Sequence, residues 1–177
     1  MSTRTDIIAA AEKAFDGGGF HGTGMDALVR AAGVSSRTLY KHVGSKDELA
    51  LSVLKARQER FEQAVDGDGV DGLFTGLQRW IDREGANGCL FLRAHGEYRS
   101  RHPAFAALVR EHKDAFAREI ARRVEQELGR PDEALAAEIE ILFEGATAAA
   151  VYRGAAAAVE SARRAARALL AAGRAAS

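Results

Sequence analysis

Between Ser35 and Lys46 the chain gathers side chains that donate hydrogen bonds or carry positive charge: Ser36, Arg37, Thr38, Tyr40, Lys41, His42 and, past a glycine, Lys46. A guanidinium can make two parallel hydrogen bonds, hydroxyls can give or take one, and an ammonium meets anions as a point charge. Leu39 lies about one helical turn from both Ser35 and His42, so a helix here anchors inward through Leu39 and turns its polar residues outward. Such a helix fits the major groove of duplex DNA, where Arg reads guanine, Ser or Thr meets either base type, and Tyr or Lys reaches phosphate. Arg37, Lys41 and Lys46 cluster with no acid among them, while Asp47 and Glu48 follow where a helix start favours acids. Plainer readings stand beside these: Tyr40 as a core aromatic, His42 as a partner for a helix's negative end, Lys46 as a solvated residue.

The elements that must position these residues are legible in turn. Thr3 and Asp6 form a near capping box ahead of Ile7, Ile8, Ala11, Ala14 and Phe15, which predicts a helix over 3–16 stopped by Gly17, Gly18 and Gly19. Thr23, three residues before Asp26, reads as the N-cap of a short helix over 24–32 with Met25, Leu28 and Val29 inward. Gly33 supplies a left-handed turn and Ser35 caps a third helix through His42, completing a helix-turn-helix. Ser45 and Glu48 have full capping-box spacing and open a long fourth helix carrying Leu49, Val53, Leu54, Phe61 and Val65. The glycine-rich stretch 66–72 reads as a linker. It begins like a calcium loop, but Val70, Asp71 and Leu77 occupy positions that loop cannot give them. Further helices are expected over 73–83, 89–99, 104–128, 132–152 and 155–172, an all-α fold.

Composition narrows the function classes. The chain has 177 residues, 25 Lys+Arg and 25 Asp+Glu, so any nucleic-acid site is a local patch and not a polycationic surface. One cysteine excludes an internal disulfide framework, and no apolar run approaches the roughly 20 residues of a membrane span. The N-terminus lacks a signal-peptide core, and a cytoplasmic protein is expected.

The run Met25-Asp26-Ala27-Leu28 through Ala32-Gly33-Val34-Ser35, then Thr38-Leu39-Tyr40-Lys41-His42-Val43 and Ser45-Lys46-Asp47-Glu48-Leu49, resembles the DNA-binding domain of TetR-type (TetR/AcrR) transcriptional regulators. Ile8, Ala11, Phe15 and Gly19 fit the same family's first helix. The resemblance implies a helix-turn-helix domain over 1–49 and a helical ligand-binding and dimerisation domain over 50–177. It implies a homodimer on a palindromic operator, repressing until a small-molecule effector releases it. Family DNA contacts fall on Thr23, Ser36, Arg37, Thr38, Tyr40, His42 and Lys46, with Tyr40 and Lys46 on phosphates. Arg37 stands where many members have glycine or proline, Val43 replaces a frequent Phe, and Gly24 a small hydroxyl residue.

Beyond residue 72, an effector pocket could use Trp80, Phe91, His95, Tyr98 and Phe116, although aromatics at helical spacing serve equally as core. Leu135, Ile139, Leu142 and Phe143 make a stripe on one late helix, and Ala162, Ala166 and Leu169 allow close packing on the next. The family's habit of dimerising through its last two helices places the interface there, with intramolecular packing as the alternative. His95, His102 and His112 lack a common ligand face, so no metal or other cofactor is expected. Cys89 could sense redox change or electrophiles, or pack as a small hydrophobe. The rival functions are a helical dimeric interaction protein without DNA binding, and a Cys89-dependent hydrolase, which lacks a readable base. The chain is not expected to be an enzyme.

Overall fold

The computed structural model describes residues 3–98 and 102–175, so Arg99, the expected end of the 89–99 helix, lies outside the described residues. Among the described residues the fold is all-α, with nine helices: α1 (Arg4–Gly18), α2 (Met25–Ala32), α3 (Ser36–Val43), α4 (Lys46–Ala64), α5 (Gly69–Glu84), α6 (Leu90–Tyr98), α7 (Pro103–Leu128), α8 (Glu133–Arg153) and α9 (Ala155–Ala175).

Three of the expected caps form. Thr3 Oγ1 accepts from the Asp6 N–H at 3.2 Å and Asp6 Oδ2 accepts from the Thr3 N–H at 2.8 Å. Ser35 Oγ accepts from the Thr38 N–H at 3.1 Å. Ser45 and Glu48 close the reciprocal box at 2.9 and 3.2 Å. Gly33 takes the left-handed conformation (φ 63°) that lets α2 turn into α3. Two helix starts are set by other residues than expected, and α1 and α9 run two and three residues past their expected ends. Gly24, not Thr23, is the N-cap of α2. And α5 starts at Gly69 inside the expected linker, because Val70 is buried and its N–H donates to Glu127 Oε1 at 2.7 Å.

The chain divides into two compact units. The first comprises the described residues up to Arg60 and those from Leu90 to Val109: α1–α3, most of α4, α6 and the start of α7. Its core includes Ile7, Phe15, Phe20, Leu28, Leu39, Leu49 and Phe105. Phe15 stacks on Phe20 with ring centroids 4.8 Å apart, and Tyr98 stacks on Phe105 at 3.9 Å. Beside this apolar core runs a buried ion pair, Glu12 with Arg57 at 2.9 Å, to which Arg60 adds a second contact at 2.6 Å. Each charge meets an opposite one, which is what makes burial of such groups tolerable.

The second unit holds the end of α4, α5, the rest of α7, and α8 and α9. Phe74, Leu77, Ile120, Val124, Ile139, Phe143 and Leu170 are among its buried residues. Ala136, Ala146 and Ala150 on α8 and Ala158, Ala162 and Ala166 on α9 are buried, and such small side chains let two helix backbones approach. Gly76 has a similar purpose: a Cβ there would lie 2.6 Å from the Ala64 carbonyl oxygen, so α5 can pass the end of α4 only with glycine at that place.

Candidate nucleic-acid interface

The recognition surface begins with what α3 buries. Leu39 (0 % exposed) and Val43 (5 %) face inward, while α3 packs on α2 and α1. At helical spacing this leaves Ser36, Arg37, Tyr40 and Lys41 exposed and Thr38 and His42 half-buried at the edges. Tyr40 is 50 % exposed, which rules out the core-aromatic reading. Thr38 and Ser35 share a hydroxyl–hydroxyl hydrogen bond of 2.9 Å at the start of the helix. Lys46 is the first residue of α4 and half-buried. Among the described residues, Arg37, Lys41 and Lys46 are in no ion pair, so their charges remain available to an outside anion. The nearby acids are occupied: Glu48 caps α4, and Asp47 Oδ2 lies 3.0 Å from His102 Nε2.

Thr23 is corrected. It is buried (5 % exposed), and its Oγ1 donates to the Gly19 carbonyl at 2.7 Å with the Ala14 carbonyl at 3.1 Å. A hydroxyl committed to the end of α1 cannot serve as a phosphate donor, and Thr23 leaves the DNA-facing set.

Three residues whose anchoring role local sequence reasoning missed hold the helix-turn-helix in place. Arg4 Nε donates to the His42 carbonyl at 3.3 Å and its NH2 group to Ser52 Oγ at 2.9 Å, tying the start of α1 to the end of α3 and to α4. From α6, Glu97 accepts from the backbone N–H groups of Phe20 (3.1 Å) and His21 (2.5 Å). One turn earlier on the same helix, Arg93 donates to the Asp16 carbonyl at 2.6 Å. A cation and an anion on α6 thus grip both sides of the chain reversal after α1. Only the i,i+4 spacing of Arg93 and Glu97 hinted at a shared face, and nothing local named the loop as its partner.

The expected pocket residues are shared between the two units. Phe91, His95 and Tyr98 belong to the first unit and Trp80 and Phe116 to the second. Burial raises the Tyr98 phenol well above the ordinary tyrosine range, with the Asp47 charge adding to it. Within the second unit a cleft of about 370 Å³ is lined by Phe61, His112, Phe116 and a rim of charged residues, so only Phe116 of the expected five takes part. His112 is 5 % exposed, and burial, with Lys113 adding to it, pushes its imidazole pKa down to about 4.

Five of the seven expected dimer residues face inward. Leu135, Ile139, Phe143, Ala162 and Ala166 are buried in the second unit's own core, and Leu142 and Leu169 pack partly against it. α9 takes up that face of α8, and what α8 leaves outward includes Ile141 (71 % exposed) and Tyr152 (77 %). The half-buried Cys89 thiol accepts from the Lys113 ammonium at 3.6 Å, and that ammonium also meets Glu144 at 2.5 Å. Among the described residues no group of three or more His, Cys, Asp or Glu could hold a metal ion, and no helix is long and apolar enough to cross a membrane.

Two family models match successive stretches of the chain. Residues 7–53 match the model of the bacterial regulatory proteins of the tetR family, and residues 69–166 match a tetracyclin repressor-like C-terminal domain. The HTH-type transcriptional regulator UidR of Escherichia coli K12 is 36 % identical over 69 residues, 37 % of this chain and 35 % of its own length. The HTH-type transcriptional activator FasR of Mycolicibacterium smegmatis is 39 % identical over 62 residues, 35 % of this chain and 28 % of its own. The chain therefore spans about a third of the length of the curated relatives it matches. A crystal structure of a TetR-family regulator from Streptomyces coelicolor superposes with a TM-score of 0.83 at 25 % identity, covering 97 % of this chain and 95 % of that one. One from Chloroflexus aurantiacus gives 0.76 at 25 % identity over 95 % and 92 %. The family is one of regulators and not of enzymes. With both halves matched in order, and the second match alone covering more than half of the residues, the chain belongs to the tetR family of bacterial regulatory proteins.

Proposed function

We propose that this protein is a ligand-responsive transcriptional repressor that grips a near-palindromic operator as a homodimer and releases it when a small-molecule effector binds. The observation that carries the reading is α3, whose apolar face is buried while Arg37, Tyr40 and Lys41 stand exposed. In this reading Ser36, Arg37 and Thr38 meet base edges, Tyr40, Lys41 and Lys46 meet phosphates, and His42 lies at the groove's edge. Residues 1–49 are the DNA-binding part and 50–177 the effector and dimerisation part. The outward stripe of α8, Ile141, Ala148 and Tyr152, at i, i+7 and i+11, is the face a second copy covers. The protein works in the cytoplasm, where its operator is. The names of UidR and FasR, a transcriptional regulator and a transcriptional activator, support the DNA-binding half of this reading.

The coupling is reciprocal: an effector that favours the arrangement poorly spaced for DNA weakens operator binding, and DNA weakens effector binding by the same factor. Hydroxyl-radical footprinting on a bound operator tests the geometry. Two symmetric protected half-sites about 34 Å apart, or slightly more, are expected. A single protected half-site would refute the dimeric mode.

A further inference from the structure

A second, smaller cleft in the second unit, of about 220 Å³, lies between the start of α5, the last turn of α7 and one face of α9. Its floor is apolar, made by Val70, Phe74, Ala166 and Leu170. Its rim is charged. Arg163, Arg167 and Arg174 stand at i, i+4 and i+11 along α9, opposite Asp71 of α5 and Glu127 of α7, so three guanidiniums meet two carboxylates. Pockets for drug-sized ligands enclose roughly 300–1,000 Å³, so this one suits a shorter molecule.

Both carboxylates are already held on each oxygen. Asp71 Oδ1 accepts from Arg163 Nε at 2.8 Å and Arg167 Nε at 2.6 Å, and its Oδ2 accepts from a terminal Arg163 nitrogen at 2.5 Å. These bonds, those of Arg163 above all, hold the Asp71 carboxyl down at about 2, so it stays ionised and paired at neutral pH. Glu127 Oε1 accepts the Val70 N–H at 2.7 Å, and its Oε2 accepts from Arg174 at 2.6 Å. The guanidiniums have donors to spare. Each carries several N–H groups, yet among the described residues Arg167 commits only its Nε and Arg174 only one terminal nitrogen, both side chains being 54 % exposed. Glu160 adds a contact to Arg163 at 3.7 Å and none to the other two.

We infer that this cleft is a binding site for a small organic acid, a carboxylate with a short apolar chain. The carboxylate takes the spare N–H groups of Arg167 and Arg174, whose planar forks match its two oxygens, and the chain lies on Val70, Phe74, Ala166 and Leu170. An ammonium of the same length meets an excess of like charge and two carboxylates already held. A bare inorganic anion meets the guanidiniums but gains nothing from the apolar floor.

The site is tested on the full chain without DNA, so the outcome is separate from that of operator binding. Hexanoate, hexylammonium and inorganic phosphate are each titrated by calorimetry at low ionic strength, where exposed charges are least screened. Hexanoate is expected to bind saturably and on the order of tenfold more tightly than either of the others. The double variant Arg167→Gln/Arg174→Gln should weaken hexanoate binding about tenfold. Asp71→Asn should act in the opposite direction: it loosens the hold on Arg163 and Arg167 and removes one negative charge, so hexanoate should bind about three- to tenfold more tightly. Both variants are checked for native helix content by circular dichroism, and a variant that merely disturbed the fold would not tighten binding. Absence of saturable hexanoate binding, equal binding of hexylammonium or phosphate, hexanoate affinity untouched by the double variant, or no gain from Asp71→Asn overturns the inference.

Discussion

Replacing Glu97 by alanine should destabilise the first unit by about 2 kcal/mol. Its carboxylate accepts from two backbone N–H groups, those of Phe20 and His21. A hydrogen bond to a charged group contributes about 1.5–3 kcal/mol net when its partner is otherwise stranded. The Phe20 N–H is partly buried and suffers most, whereas the His21 N–H is near solvent and water can replace its acceptor, which keeps the sum below two full bonds. Glu97→Gln keeps one carbonyl oxygen and should recover about half. Arg93→Ala should cost about 1 kcal/mol, because the freed Asp16 carbonyl is easier to satisfy than a stranded donor. Urea unfolding gives the free energies, and amide hydrogen exchange reads the site itself: protection of the Phe20 and His21 amides should collapse in the alanine variant. A Glu97→Ala protein within about 0.5 kcal/mol of wild type, with both amides still protected, would refute the reasoning that α6 holds the loop after α1.

Other outcomes follow from the same structure. Arg37→Ala should cost about 1–3 kcal/mol on the preferred operator and relax discrimination at one base pair, measured across operator variants; equal weakening on every sequence would make Arg37 a phosphate contact. Thr23→Val should cost about 1–2 kcal/mol in urea, since it removes the hydroxyl donated to the Gly19 carbonyl. A loss of operator affinity without a loss of stability would return Thr23 to the DNA surface. The imidazole of His112 titrates near 4 in the folded chain, against 6.5 for an unperturbed histidine, so in that window the unfolded chain binds the extra proton. Stability should therefore fall as pH drops from about 6.5 to about 4, by up to about 3 kcal/mol, and His112→Leu should flatten that window. Parallel wild-type and variant profiles would show that His112 is not the group responsible.

Features that were legible in the sequence share a cause: their determinants are local. The Thr3–Asp6 and Ser45–Glu48 boxes and the left-handed Gly33 are set by residues within a turn of each other, and they place α1, α3 and α4 closely. Long-range partners were not legible. α5 begins four residues early because Glu127, far along the chain, accepts the Val70 N–H, while Arg123 holds the carbonyls of Gly67 and Gly69. Thr23 has the spacing of an N-cap, yet its hydroxyl turns back to α1. On α8 apolar and small residues line both faces, with Ile139 buried and Ile141 exposed, so periodicity could not tell the intramolecular side from the outward one. The recognition helix escaped this ambiguity because its two faces differ in kind, Leu39 and Val43 against Arg37 and Lys41.

Fluorescence-anisotropy binding to duplexes tiled across the DNA flanking the coding region, with a salt titration and unrelated duplex as competitor, goes straight to whether α3 reads DNA. Saturable binding to one near-palindromic tile, resistant to the competitor and weakening steeply with salt, is expected from the exposed Arg37, Lys41 and Lys46. Absence of binding to every tile and to unrelated duplex, even at low salt, would contradict it.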